Sequence, residues 1–218
     1  MRLGLDNNLH SINVEIIRMG TLIEKALEET IEALVKQDVE LAQKIIKGDD
    51  KFDQMEIDIE SKCISAIATQ QPVATDLREI LSVLKIVTDL ERIADHCQDI
   101  SKITIDLANK VYVKPLIDIP KMAKEVRKMI KMTIDSYIDQ DVDKARVICK
   151  DDDIVDDYFR TIFKDLEIIM KDKPDEIKQC MDFLMIAKYL ERMADHATNI
   201  AEWVIFSVEG RHFSGNES

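Results

Sequence analysis

Residues 91–100, ERIADHCQDI, recur as ERMADHATNI at residues 191–200, and six of the ten positions are identical. The similarity continues outside the decapeptides at nearly the same offset, with QDV at 37–39 and 140–142, and KGDD at 47–50 over KDDD at 150–153. A repeat of this length indicates that one structural unit occurs twice in the chain. We therefore expect two similar domains in tandem, residues 1–111 and residues 112–218.

The hydrophobic spacing predicts three long helices in each unit. From Leu5 to Ala26, apolar residues recur at alternating spacings of four and three, which is the pattern of an amphipathic helix. Asp38 is expected to cap the second helix, Pro72 to end it, and Thr75 or Asp76 to cap the third. We expect helices over about 1–36, 38–70, 75–110, 120–139, 141–171 and 175–208. The predicted fold is all-α, with two three-helix bundles.

Composition limits the classes of function. The chain has 218 residues, 5% aromatic residues and a net charge of −13, and it shows no basic stripe. Such a surface repels nucleic-acid phosphates and favours divalent cations or basic patches on a partner protein. We find no signal peptide and no apolar run long enough to span a membrane. The expected location is the cytoplasm, where the four cysteines would be reduced thiols.

The acidic residues follow the helical repeat. Glu91 and Asp95 are four residues apart, so their carboxylates share one helix face, and Asp99 lies one further turn along. The second copy places Glu191, Asp195 and Asn199 in the same way. The second helix of each unit carries a matching pair of aspartates four residues apart, Asp49 with Asp53 and Asp152 with Asp156.

Paired carboxylates on adjacent helices favour a bound cation. Like charges at this spacing repel by a few tenths of a kcal/mol, and we find no Lys or Arg three or four residues after Glu91 or Asp95 to relieve the repulsion. Asp49 nearly falls on the apolar stripe of its helix, where a carboxylate needs a partner. A site built from carboxylates and an amide oxygen suits Mg²⁺, Mn²⁺, Ca²⁺ or iron better than zinc.

No catalytic motif accompanies the acidic residues. We find no glycine-rich phosphate loop, no HExxH and no GxSxG, so the protein is not expected to be an enzyme and no catalytic or cofactor-binding residue is predicted. His96 and His196 lie off the carboxylate stripe, and we interpret them as packing residues with local hydrogen bonds. The alternatives are a carboxylate-bridged metalloenzyme on a helical bundle, and a phosphorelay domain that uses one of these histidines.

From end to end, the chain resembles the PhoU family of phosphate-specific transport system accessory proteins. The resemblance rests on the opening segment 1–27 with its Met19-Gly20 pair, on IKGDDKFDQMEIDIE at 46–60, on QPVATDLREI at 71–80 and on the two decapeptides. The family commonly has Gly where this chain has Ala94 and Ala194. Ala is also small, and it favours a helix over Gly by about 1 kcal/mol.

The resemblance implies two three-helix bundles with metal clusters at the E/D-x-x-x-D motifs. Carried over to this chain, the ligands are Asp49, Asp53, Glu91, Asp95, Asp152, Asp156, Glu191 and Asp195, with Asp99 and Asn199 as neighbours. The implied ions are iron, zinc, magnesium or manganese. The implied role is negative regulation of phosphate uptake and of the phosphate-starvation response by a cytoplasmic homodimer, which contacts the ATPase of the phosphate ABC transporter and a sensor histidine kinase in the membrane.

Overall fold

The structure is a computed structural model that describes residues 2–211, apart from the side chains of residues 2, 3, 151 and 152. Within this part of the chain, seven α-helices and one short 3-10 turn account for the regular structure. The α-helices are α1 (Arg2–Lys36), α2 (Val39–Lys47), α3 (Asp50–Gln70), α4 (Ala74–Leu107), α5 (Asp118–Asp139), α6 (Val142–Asp172) and α7 (Ile177–Glu209), with the 3-10 turn at Pro174–Glu176.

The first repeat differs from the prediction at its middle helix. The expected second helix is divided at Gly48 into α2 and α3. The Gly48 N–H donates to the carbonyls of both Lys44 and Ile45, each at 3.0 Å, so the last turn of α2 tightens and stops. Asp49 follows directly, and it lies at the N-cap position of α3. In the second repeat, α6 runs without a break through the aligned positions.

The predicted break before the middle helix is confirmed in both repeats. The Asp38 carboxylate accepts a hydrogen bond from the Leu41 N–H at 2.9 Å, and Asp141 accepts one from Lys144 at the same distance. Gln37 and Gln140 precede these caps with left-handed backbones. The cap predicted for the third helix is wrong, because α4 begins at Ala74 and its N-cap residue makes no side-chain cap hydrogen bond.

The two bundles share one long interface. Helices α1, α2, α3 and α4 pack together, α5, α6 and α7 form the second bundle, and α4 lies along α7 while α1 lies along α5. Equivalent positions of the two repeats are buried in this interface. Leu90 and Ala94 in α4 are buried, as are Leu190 and Ala194 in α7. The domain boundary between residues 111 and 112 falls in the connector between α4 and α5, and it stays a prediction.

Among the helices that the structure describes, none is long and apolar enough to cross a lipid bilayer.

Candidate metal centre and the cleft between the repeats

Three aspartates from two elements meet in the first bundle. Asp49 and Asp53 come from the start of α3, and Asp95 comes from the middle of α4. One carboxylate oxygen of each lies within 4.8 Å of one oxygen of both others. The turn at Gly48 precedes Asp49, and the α3–α4 packing aligns Asp53 with Asp95. We call these three residues the carboxylate cluster.

Asp49 is the least accessible member of the cluster, with only 7% of its surface exposed. The Gln98 side-chain amide donates a hydrogen bond to its Oδ2. Burial, followed by repulsion from Asp95 and Asp53, raises the pKa of Asp49 to about 6. The position of Asp49 at the start of α3 places its negative charge near the positive end of a helix dipole. Despite this favourable contribution, burial and the neighbouring acids destabilise the charged form of Asp49.

Glu91 extends the acidic surface one turn back along α4. Burial and the Asp95 charge raise the pKa of Glu91 to about 7, and Glu56 and Asp53 contribute in the same direction. Its Oε2 is buried without a hydrogen bond in acceptable geometry, although the Arg92 Nε lies 3.5 Å away. A buried carboxylate oxygen without a hydrogen-bond donor is a position that a bound cation would satisfy.

No Lys or Arg follows Glu91 or Asp95 by three or four residues, but in both repeats a basic residue that precedes an acid does pair with it. Arg92 Nη1 donates to Asp95 Oδ2 at 3.0 Å, and Lys188 forms a close ion pair with Glu191. Both cations lie three residues before their acids, so each pair shares one helix face. Arg92 and Lys188 remain about half exposed, so solvent screens the attraction and the clustered acids still carry excess negative charge.

The second bundle repeats part of this arrangement. Burial, then Glu191, raises the pKa of Asp195, with a smaller contribution from Asp156, which places the three carboxylates in one neighbourhood. Asp156 is also held by Arg160, whose Nη2 lies 3.1 Å from its Oδ2. The side chain of Asp152, predicted as the fourth ligand, lies outside the described residues. The second group is therefore less well defined than the carboxylate cluster.

Asp99 and Asn199 lie beside the acidic groups, one helical turn beyond Asp95 and Asp195. Each step of four residues rotates a side chain about 40° around a helix, so a residue eight positions beyond Glu91 has turned about 80° from it. Asp99 consequently faces α7, and Asn199 faces α4. Both line a cleft of about 540 Å³ between the repeats, which we call the inter-repeat cleft.

The two decapeptides face each other across this cleft. Its lining consists of Arg92, Asp95, His96 and Asp99 from α4, and Arg192, Asp195, His196 and Asn199 from α7. The α4–α7 packing therefore brings the repeated motifs together at the junction of the two bundles. Sequence periodicity predicted the helices that carry these residues, but it did not predict that the two decapeptides lie next to each other.

The two histidines of the cleft differ in their surroundings. His196 Nδ1 lies 2.8 Å from Asp89 Oδ1 and is partly exposed. His96 is buried against the Tyr189 ring, with the ring centroids 5.2 Å apart, and neither of its nitrogens has a hydrogen-bond partner. Burial, followed by the nearby His196, lowers the pKa of His96 to about 4, so its ring is neutral near pH 7.

Sequence reasoning missed several residues of these two sites. Glu56, Gln98 and Asp89 were not singled out, because each is a single polar residue on a helix without a repeated partner. Glu56 lies three residues after Asp53, which puts it on the same face of α3, and this spacing was the available signal. The roles of Gln98 and Asp89 depend on contacts with other helices: Gln98 bonds to Asp49 at the start of α3, and Asp89 lies beside His196 of α7.

Comparison with known proteins agrees with this architecture. The sequence model of the PhoU domain matches the chain twice, over residues 16–104 and 119–204. The chain belongs to the PhoU family. The two matches correspond to the two bundles, so the family assignment accounts for both halves of this PhoU-family protein.

Individual relatives cover nearly the whole chain. The phosphate-specific transport system accessory protein PhoU homolog of Clostridium acetobutylicum is 41% identical over 97% of this chain and 97% of the relative. The protein of the same name from Aquifex aeolicus is 39% identical over 94% and 93%. The crystal structure of PhoU from Pseudomonas aeruginosa has a TM-score of 0.91 at 32% identity, over 94% of this chain and 99% of that one.

Proposed function

We propose that this protein regulates phosphate uptake as an accessory protein of the phosphate-specific transport system. The observation that carries the proposal is membership of the PhoU family over both bundles, supported by full-length relatives named as accessory proteins of that system. The role is negative: with phosphate plentiful, the protein restrains uptake and the starvation response. We propose a regulatory rather than a catalytic role, and turnover that tracks bound metal would contradict it.

Deletion of the gene in its own host tests the regulatory role. In phosphate-rich medium, the deletion strain is expected to take up radiolabelled phosphate faster and to express its phosphate-starvation genes. Reintroduction of the intact gene should restore both to wild-type levels. Uptake and expression that do not change on deletion would overturn the proposal.

We also propose that the carboxylate cluster binds a metal ion. Three carboxylates and the nearby Glu91 supply hard oxygen ligands, which suit Mg²⁺, Mn²⁺ or iron, and zinc is retained as a less favoured ion. The support is the unfavourable burial of Asp49 charge beside Asp53 and Asp95, which a cation offsets. We propose a second site at Asp156, Glu191 and Asp195, together with Asp152, and we place Asp99 and Asn199 as outer neighbours.

Elemental analysis of protein purified without chelators or a nickel column tests the metal proposal. Asp53→Asn and Asp95→Asn are expected to lower the bound metal content. Asp58→Asn is the matched control, because Asp58 is exposed on α3 and lies outside the cluster. Equal metal content in all of these variants would remove the cluster from the site.

The finer role that we propose is that of an adaptor in the cytoplasm. We infer that a homodimer contacts the ATPase of the phosphate ABC transporter and a sensor histidine kinase, so that its contact with the membrane is peripheral and made through these complexes. The acidic surface supports binding to basic patches on such partners. An apolar groove of about 540 Å³ between α3, α4 and α7 gives further support. Ile64 and Leu81 line it and are 61% and 44% exposed.

Binding measurements with the purified ATPase and the cytoplasmic part of the kinase, both from the same genome, test the adaptor role. Leu81→Asp is expected to weaken at least one interaction by tenfold or more, because it places a charge in the apolar groove. Val147→Asp is the control, since Val147 is similarly exposed on α6 and does not line the groove. No binding of either partner to the wild-type protein would contradict the adaptor role and leave the metal proposal standing.

A further inference from the structure

The outer surface of the α6–α7 pair is apolar at positions where the first repeat is charged. The offsets that align KGDD with KDDD and the two decapeptides with each other also align Glu60 with Phe163, and Lys85 with Met185. Phe163 and Met185 are 46% and 39% exposed. Large apolar side chains that are exposed together mark surfaces that bind other molecules.

Side-chain contacts show that the two repeats pack these helices in the same register. In the first repeat, Glu56 of α3 interacts with Thr88 of α4. The aligned residues of the second repeat also meet, since Lys188 Nζ of α7 lies 5.4 Å from the ring centroid of Phe159 on α6. Positions that share a surface in the first repeat therefore share one in the second.

Two phenylalanines and two methionines form this surface in the second repeat. The two phenylalanine rings are four residues apart on α6, with their centroids separated by 6.5 Å. In the first repeat, the aligned residues Glu60, Leu81 and Lys85 line one groove between α3 and α4. Methionine side chains adapt to the shape of a partner and are common at binding surfaces. We call this surface the Phe-Met patch, formed by Phe159, Phe163, Met181 and Met185.

Acidic residues flank the patch along α6. Spacings of three, four and four residues place one acid at each end of the phenylalanine pair on the same helix face, in the order Asp156, Phe159, Phe163 and Glu167. The two acids are roughly 16 Å apart along the helix axis. Each pairs with a basic residue of α6, but these basic side chains are 61% and 70% exposed, so solvent screens the attraction. From residue 151 to residue 167, α6 carries more acids than bases.

The acidic flanks distinguish between the molecules that could cover the patch. A second copy of the chain, placed patch to patch about a twofold axis, would bring the acidic flanks of both copies together. An anionic lipid surface would also be repelled. A helix with one apolar face and basic residues near both ends complements the patch and its flanks together.

We propose that the Phe-Met patch binds an amphipathic helix of a partner protein, whose apolar face covers the patch and whose basic residues, about three turns apart, lie near Asp156 and Glu167. The proposal rests on the adaptor role and gives it a second docking surface. The apolar groove between α3, α4 and α7 shares no residue with the patch, so the two surfaces can hold different partners at the same time.

Binding of the purified ATPase and of the cytoplasmic part of the kinase, both from the same genome, tests the proposal. Phe163→Glu and Met185→Lys introduce the residues that the first repeat has at the aligned positions, so both variants should fold. Each should weaken the same one of the two interactions at least tenfold, and Leu81→Asp should leave that interaction unchanged. Ile168→Glu is the matched control, because Ile168 is 58% exposed on α6 but is turned about 140° away from Phe163.

The chemistry of the partner is tested with the same proteins. Glu167→Gln should weaken the interaction that Phe163→Glu weakens, and should reduce its dependence on salt, because it removes one acidic flank. Hydrogen exchange of the bound partner is expected to slow in a helical segment with basic residues on both sides of an apolar face. Protection of an acidic or a β-strand segment instead would overturn the proposal.

The remaining outcomes separate this proposal from the adaptor role. If the wild type binds a partner and Phe163→Glu binds both as tightly, or if Leu81→Asp loses the same partner, the patch is not a separate docking surface and the adaptor role stands. Light scattering that shows a smaller assembly for Phe163→Glu would assign the patch to a second copy and overturn the proposal. Circular dichroism checks folding, and Met185→Lys decides the question if Phe163→Glu does not fold. A wild type that binds neither partner contradicts the adaptor role itself.

Discussion

Gly20 of α1 lies directly against Ile134 of α5: a Cβ atom built on Gly20 falls 2.7 Å from Ile134 Cγ1. The first helix of each repeat thus approaches its counterpart at a point where no side chain fits. Ile134 is buried, so its side chain has little room to move away. The glycine of the Met19-Gly20 pair therefore sets the distance between the two bundles along the α1–α5 contact.

Gly20→Ala is expected to destabilise the protein by up to about 2 kcal/mol. Overpacking costs about 1–3 kcal/mol, and the higher helix propensity of Ala returns about 1 kcal/mol. In an Ile134→Ala background the clash is gone, so the same change should be neutral or stabilising. A double-mutant cycle of urea unfolding measures the difference. Equal effects of Gly20→Ala in both backgrounds would show that the contact with Ile134 is unimportant.

Compared with the wild type, Asp49→Asn is expected to be more stable without metal and less stable with metal bound. In chelator-treated protein the variant should melt at a higher temperature than wild type, because a buried charge repelled by Asp53 and Asp95 is removed. With Mn²⁺ at about 100 times its Kd, the wild type should gain about 2.7 kcal/mol and the variant much less.

Thermal scans with and without Mn²⁺ measure this reversal. Asp58→Asn is the control, and it should match the wild type under both conditions because Asp58 is exposed. An Asp49→Asn variant that is less stable than wild type without metal, and equally stabilised by Mn²⁺, would contradict the interpretation of the cluster.

Gln179 is expected to hold the connector between the bundles. Its side-chain carbonyl accepts a hydrogen bond from the Val113 N–H, and its amide donates to the Val111 carbonyl at 3.2 Å. Gln179→Ala removes both, and because the Val113 N–H is only partly buried, its loss of an acceptor is expected to cost about 1 kcal/mol. Urea unfolding measures the loss, and Gln43→Ala on the exposed face of α2 is the control. Similar unfolding of the two variants would rule out this role.

The cysteines are expected to differ in their reactivity. Burial raises the pKa of Cys63 and of Cys97 to about 12, so almost no thiolate is present at pH 8. Cys149 is half-buried and should be alkylated first by iodoacetamide. Peptide mass spectrometry of briefly treated native protein measures the order, and labelling in guanidinium provides the fully reacted reference. Labelling of Cys63 as fast as Cys149 in the native protein would contradict the prediction.

Short-range features of the fold were predictable. The Asp38 cap occurs as expected, because it needs only an aspartate three residues before the N–H from which it accepts a hydrogen bond. Asp141 caps the middle helix of the second repeat in the same way. The division at Gly48 was missed because the apolar stripe continues from α2 into α3, and periodicity alone does not register one tightened turn. The pairing of Arg92 with Asp95 was not predicted, because Arg92 precedes Asp95 and only basic residues that follow the acids were considered as counter-ions.

The amino-acid sequence by itself determined the helices, the internal repeat and the spacing of the carboxylates, because each depends on neighbours within a few residues or on direct self-similarity. Only the tertiary structure decided that Asp49 and Asp53 meet Asp95, and that His96 lies against His196. Those contacts depend on the register of α3 on α4 and of α4 on α7. Register follows from how whole surfaces pack, including close approaches such as that of Gly20 to Ile134, and helical periodicity does not contain it.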